Sequence, residues 1–207
     1  EQLLPVILGM VDQQVLMDVG STKEGLLTAI AQHPKRGRFV ATHPMWGTEY
    51  SGPEAAVFGA FIDKATVICN KEQNDADAIA LVEKVYKELG MHLIYMNAKD
   101  HDVHVAYVSH ISHITSFALA NTVLEKEREE DAIFELASGG FESTVRLAKS
   151  NPAMWVPIFM QNKENILDVL NEHIAQLKKF KSSLEKENYE YLQELIEHAN
   201  GIKLISV

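Results

Sequence analysis

The residue types best suited to moving a proton or holding an anion fall at a few separated points of the sequence. His43 follows the apolar run Arg38-Phe39-Val40-Ala41-Thr42 and is followed by Pro44, so it stands where a strand ends. An imidazole there, with an ordinary pKa of about 6.5, can take or give a proton at neutral pH. The stretch from Asp100-His101-Asp102 to Ser109-His110-Ile111-Ser112-His113 runs into a segment, Val103 to Leu124, with no Asp, Glu, Lys or Arg but three histidines. Burying an unpaired polar group costs on the order of 2 kcal/mol, so a core helix carrying so many imidazoles must partner them or present them to a ligand. At 100° per residue Ser109, His113 and Ser116 share one side, with His110 a quarter-turn away. His113 is therefore expected to face a ligand, and His110 to be a satisfied core residue.

Asp18-Val19-Gly20-Ser21-Thr22-Lys23 follows the short apolar run Val15-Leu16-Met17. It is readable as an ordinary turn capped by Ser21 or Thr22, or as a strand-end ligand site where free backbone N–H groups favour anions. Gly139-Gly140-Phe141 precedes Arg146, whose guanidinium suits a carboxylate through two parallel hydrogen bonds if it escapes solvent. Trp155, Phe159 and Met160 read most simply as core or subunit-contact residues. The histidine spacings on the apolar segment would allow metal ligation, but neither a cysteine nor a well-placed carboxylate completes a set, and no metal is expected.

These residues need elements to position them. Strands are expected at Val15–Met17, Arg38–Thr42, Ala65–Cys69 and Met91–Met96. Between them come a helix running to about Gln32 and an amphipathic helix from Asp75 whose face is Ile79, Val82, Val85, Tyr86 and Leu89, stopped by Gly90. Repeated strand-helix units predict a mostly parallel sheet. After Asn97 the pattern is helical only: about 99–126, 129–137, a break at Ser138-Gly139-Gly140, a short helix near 144–149, and long helices from Asn151-Pro152, with Pro157 expected to kink the first. The fold expected is α/β plus all-α: the C-terminal half of a Rossmann-like doubly wound sheet (1–97), then a helical domain (98–207). A doubly wound nucleotide-binding sheet ordinarily opens with a G-x-G-x-x-G turn, and none is present.

A formal net charge of −10, with no local Lys/Arg-rich run, argues against nucleic acid or an anionic membrane as partner. The single cysteine, Cys69, excludes an internal disulfide; it lies in the apolar run Thr66–Cys69 and reads as an inert buried thiol in a reducing cytoplasm. The first residues lack the basic flank and cleavage pattern of a signal peptide. Val103–Leu124 is long enough to span a bilayer, yet nine of its residues are His, Ser, Thr or Asn, which reads as a protein-buried helix.

In this order, Asp18–Lys23, His43-Pro44-Met45, His101-Asp102, Ser109–His113, Gly139-Gly140-Phe141, Arg146 and Met154-Trp155 together resemble the prephenate dehydrogenase family over nearly the whole chain. The resemblance implies that the Gly-rich turn lies upstream of the first residue, making the chain a fragment of the cofactor domain plus the helical domain. It implies NAD-dependent (NADP not excluded) oxidative decarboxylation of prephenate to 4-hydroxyphenylpyruvate by a cytoplasmic homodimer joined through the helical domain. His43 would take the ring hydroxyl's proton, with Ser21 orienting it beside the nicotinamide. Ser21, Thr22 and Pro44 would contact the cofactor. Arg146 would clamp a substrate carboxylate, His113 and Ser109 would hold the other polar end, and His101 would line the entrance. Gly139 would allow close approach, and Trp155 would reach the partner's site or its edge.

The sequence departs from the family pattern at Trp46, Ser112 and Ser143, where Ala, Pro and Asp are common; Trp46 would narrow the pocket, and Ser143 removes an acid near Arg146. Two alternatives stay open: arogenate as substrate, or a catalytically silent dimerisation and substrate-domain fragment.

Overall fold

The computed structural model describes residues 2–50, 52–127 and 133–204. A helix not foreseen from sequence, α1 (Leu4–Met10), has Pro5 in its first turn and buries Leu4 and Leu8. Then come β1 (Leu16–Asp18), α2 (Glu24–Ala29), β2 (Phe39–Pro44), β3 (Ala65–Cys69), α3 (Ala76–Glu88) and β4 (His92–Met96). All four strands were anticipated to within two residues. The sheet order is β1-β2-β3-β4, with β1 parallel to β2 and β3 parallel to β4. The middle pair, β2 and β3, is antiparallel, with His43 opposite Val67. The fold class stands as Rossmann-like sheet plus helices, but the sheet is mixed: the described residues between β2 and β3 hold no α-helix to carry a parallel crossover.

Side chains alternate across a strand, and here the alternation places the chemistry. Phe39 and Ala41 of β2 and Val67 and Cys69 of β3 pack with Leu8, Leu27, Ile30 and Ala98, on the face covered by α1, α2 and the helix following Asn97. Val40 and Ile68 point the other way, onto Ala78, Val82 and Tyr86 of α3. His43 shares parity with Phe39 and Ala41, so its ring comes out toward the helix beginning at Ala98. The Cys69 thiol is fully buried, and burial pushes its pKa up to about 12, as suits an inert core thiol.

Asn97 caps α4 (Ala98–Val105) by accepting from the Asp100 amide. The long helix expected over 99–126 is interrupted by a five-residue π segment, Ala106–His110, before α5 (Ile111–Glu127). Of the helix expected over 129–137, residues 129–132 lie outside the described residues and the rest holds only a 3-10 turn at Phe134–Leu136. The glycine pair is not a break: α6 (Gly139–Val145) starts on it and gives way to a 3-10 turn at Arg146–Lys149. Asn151 caps α7 (Pro152–Gln161) as expected, and Pro157 stands inside that helix. Then follow α8 (Lys163–Glu185) and α9 (Tyr189–Ala199).

The chain divides into two compact units, 1–166 and 167–207. The first holds the sheet and the elements through α7, so the change from strands to helices at Asn97 falls inside it. The second comprises α8 from Leu167, α9 and a closing 3-10 turn, with Ser183 buried and bonded to the Lys179 carbonyl. Among the described residues no helix is long and apolar enough to cross a membrane.

Candidate active site

Within the first unit a cavity of about 550 Å³ opens at the carboxyl ends of β1 and β2. Its wall includes Ser21, His43, Pro44, Ser109, His110, His113, Arg146 and Trp155. Seven of the ten site residues foreseen from sequence therefore share one cavity of small-ligand size.

The other three do not line it. His101, expected at the entrance, is 1% exposed and lies behind His43, because the parity of β2 aims His43 onto α4. Thr22, expected at the cofactor, is buried and donates its hydroxyl to Gln161 Oε1 at 2.7 Å, tying the β1 loop to α7. Gly139 is exposed at the start of α6, and nothing lies within 4 Å of where its side chain would be.

His43 projects from β2 with its Nδ1 2.9 Å from His101 Nε2. His101 Nδ1 in turn meets Asp102 Oδ1 at 2.7 Å. Among the described hydrogen bonds this is the ring partner of His43, and Ser21 lines the same cavity. Burial, then the neighbouring His101, Lys23 and His110, push the His43 pKa down to about 3. That lowering favours the neutral ring, which keeps a lone pair.

The loop carrying Ser21 is locked from below. Asp18 accepts from the Gly20 amide at 3.0 Å and the Thr42 amide at 3.1 Å, and it pairs with the Lys23 ammonium. Lys23 is fully buried, and that burial lowers its pKa despite the Asp18 carboxylate. Neither Ser21 nor Thr22 caps α2; the Asp102 carboxylate, 79 positions from Lys23, accepts from the Lys23 amide at 2.8 Å and the Glu24 amide at 2.9 Å.

The helical wall is built differently. Ser109 and His110, in the π segment between α4 and α5, line the cavity together with His113. His113 donates Nδ1–H to the Ser109 carbonyl at 3.0 Å and stacks on Trp155 with ring centroids 3.5 Å apart. Burial lowers the His113 pKa. His110 accepts at Nδ1 from Asn162 at 3.2 Å; its Nε2 and Trp155 Nε1 are buried with no hydrogen-bond partner among the described residues. The expectation of a satisfied His110 thus holds at one ring nitrogen only. Burial pushes its pKa down to about 4.

Arg146, from the 3-10 turn after α6, keeps half its side chain exposed and reaches Glu49 Oε2 at 2.7 Å. The Glu49 carboxyl is held below its ordinary range by its own backbone hydrogen bond and then by Arg146. The ion pair was not foreseen, since nothing in the sequence sets Glu49 beside a residue 97 positions away. The aromatic rim was only partly foreseen: Trp46 lines the cavity edge-on to Phe61 at 5.9 Å, and Tyr50, Met154 and Ile158 join it.

A Rossmann-like sheet with a strand-end histidine, a helical wall and a guanidinium around one cavity of small-ligand size is the arrangement in which open α/β sheets bind ligands at strand ends. Residues 2–95 match the nucleotide-binding domain of prephenate dehydrogenase, and residues 97–198 match the prephenate dehydrogenase dimerization domain. The chain belongs to the prephenate dehydrogenase family. It is 30% identical over 185 residues to prephenate dehydrogenase of Bacillus subtilis strain 168, covering 89% of this chain and 50% of that protein. It is 28% identical over 191 residues to cyclohexadienyl dehydrogenase of Zymomonas mobilis, covering 92% and 65%. A crystal structure of Aquifex aeolicus prephenate dehydrogenase with hydroxyphenyl propionate and NAD+ superposes with a TM-score of 0.87 at 28% identity, over 98% of this chain and 71% of that one. The chain thus spans about half to two thirds of the length of the relatives it matches in sequence.

Proposed function

We propose that the protein to which this chain belongs oxidises prephenate with NAD, releasing carbon dioxide and 4-hydroxyphenylpyruvate. What supports this is the convergence of His43, Ser21, Arg146 and His113 on one cavity of about 550 Å³, in a chain of this family. Prephenate carries a ring hydroxyl at one end and two carboxylates at the other, which suits a cavity lined by both an imidazole and a guanidinium. A pocket of this volume also has room for the reactive end of a dinucleotide beside the substrate ring.

The residues present suit the nicotinamide end of NAD. Ser21 and Pro44 line the cavity at the carboxyl ends of adjacent parallel strands, the position where open α/β sheets take such ligands. When bound, NAD supplies the hydride acceptor. His43 holds the ring hydroxyl and removes its proton as hydride leaves the same carbon. The resulting dienone loses its ring carboxylate as carbon dioxide; the electron pair of that bond makes the ring aromatic, and the former carbonyl oxygen is protonated. Arg146 exchanges Glu49 for a substrate carboxylate, while His113 and Ser109 hold the remaining polar end and Trp155 walls it in. Assembly as a homodimer through residues 98–207 belongs to the same proposal, in accord with the dimerization-domain match.

Arogenate, with an ammonium where prephenate has a ketone, is the second reading. Glu49 favours it, because its carboxylate beside Arg146 would suit a carbon bearing both an ammonium and a carboxylate. NADH formation by the whole protein with prephenate and then with arogenate tests both. Turnover of prephenate alone supports the first reading, turnover of arogenate alone replaces it with the second, and activity on neither refutes the dehydrogenase assignment.

A further inference from the structure

Behind the cavity, three side chains form a buried line. Asp102 is 2% exposed and His101 1% exposed, and neither lines the cavity. Both Asp102 oxygens are taken by backbone N–H groups: Oδ1 by Lys23 at 2.8 Å, Oδ2 by Glu24 at 2.9 Å and more distantly by Lys23 at 3.2 Å. Backbone amides can only donate, so both oxygens of this carboxyl act as acceptors. His101 Nδ1, 2.7 Å from Oδ1, must then be the protonated ring nitrogen.

We propose that Asp102 and His101 are positioning residues that set the proton pattern of His43, leaving its Nε2 bare toward the substrate. The inference rests on the reading of His43 as the base. With its proton on Nδ1, neutral His101 has a lone pair at Nε2, and His43 Nδ1 at 2.9 Å must donate to it. The one proton on the neutral His43 ring is thereby fixed on the side away from the cavity. A doubly protonated His101 would reverse the pattern, but it would bury a cation beside Asp102, whose oxygens already accept from two amides. When His43 gains the hydroxyl proton at Nε2, its Nδ1–H still donates to His101, and the new positive charge faces a chain ending in Asp102. The link is also mechanical. Asp102 caps α2 in place of Ser21 or Thr22, so the loop that carries Ser21 and the imidazole that orients His43 hang from one carboxylate.

The test is a ring-nitrogen NMR experiment on the whole protein with ¹⁵N-labelled histidine, joined to kinetics of two substitutions. In the parent, His43 should carry its proton on Nδ1 and none on Nε2 at neutral pH, and His101 should be neutral with its proton on Nδ1. A His43 protonated on Nε2, or a doubly protonated His101, overturns the proposal without any activity measurement. His101→Asn keeps a donor near Asp102 but loses the acceptor for His43; kcat should fall about 100-fold, the scale of a positioned base, with KM near that of the parent. His101→Gln returns an acceptor at the Nε2 position and should recover most of the loss. Equal losses in the two variants, or a loss carried by KM, would mean that His101 only fills space. If the parent oxidises neither prephenate nor arogenate while the NMR pattern holds, the function assignment fails and the tautomer assignment survives.

Discussion

The two walls of the cavity are constructed in opposite ways. On the sheet side His43 is backed by two residues that are 1% and 2% exposed, fixed by hydrogen bonds of 2.7–2.9 Å that tie β2, α4 and α2 together. On the helical side Arg146 is half exposed and bound to a single carboxylate, Glu49, that a ligand can replace. The group proposed to do chemistry is held in one orientation by buried partners, where hydrogen bonds are least exchangeable. The group proposed to recognise charge is left where it can trade one anion for another. Proton transfer demands accurate geometry in the transition state, whereas capture of a carboxylate needs an accessible cation.

The largest effect should come from the sheet wall. His43→Asn is expected to lower kcat by about 100-fold or more with KM little changed, measured as NADH formation. Near-normal turnover would erase the contrast between the walls. Next, Arg146→Gln should act mainly on KM, raising it about tenfold, since a charge-assisted pair is lost from a half-exposed position. A fall in kcat of equal size would place Arg146 in the chemistry and blur the division.

Smaller again, Glu49→Gln should lower KM for prephenate about threefold by removing the anion that competes for Arg146, and should raise it for arogenate. Identical shifts for the two substrates would deny Glu49 any part in telling them apart.

Two pH effects follow from the buried imidazoles. With the His43 pKa pushed down to about 3, kcat/KM should show no limb at the ordinary histidine value of 6.5; a limb centred there would mean a solvated base. His43, His110 and His113 all titrate below their ordinary value when folded, so the unfolded chain binds more protons between 6.5 and the lowered values. Stability should be full above pH 6.5 and decline as pH falls from there toward about 4. Urea midpoints at pH 7.5 and 5.0 check this, and an unchanged or higher midpoint at the lower pH contradicts it.

Most of the fold was legible because the apolar runs at Leu16, Phe39, Ala65 and His92 are short, bounded by turn residues and joined by periodic helices. Two features escaped because no local pattern carries them. The antiparallel pairing of β2 and β3 depends on the path of the chain from 45 to 64, and the π segment depends on how α4 and α5 pack. Of the cavity's lining, His43 and His113 were suggested by type and position, while Ser21 and Arg146 were assigned to the site only once the family resemblance was added. Strand parity could also have placed His43 on the α4 face, which is the one available signal that His101 belongs behind it and not at the entrance. The role of Asp102 was hidden, because a carboxylate capping a helix 79 positions away leaves only an adjacent His-Asp pair in the sequence. Glu49 meets Arg146 across 97 positions and left no sequence signal.

That His43 and Arg146 grip opposite ends of one small dicarboxylic ring is tested most directly by a crystal structure of the whole protein with a 4-hydroxyphenyl carboxylic acid bound. The phenolic oxygen is expected within hydrogen-bond distance of His43 Nε2, with the carboxylate on Arg146 and Glu49 displaced from it. A ligand bound in the reverse direction, or seated with Arg146 still paired to Glu49, would contradict the account.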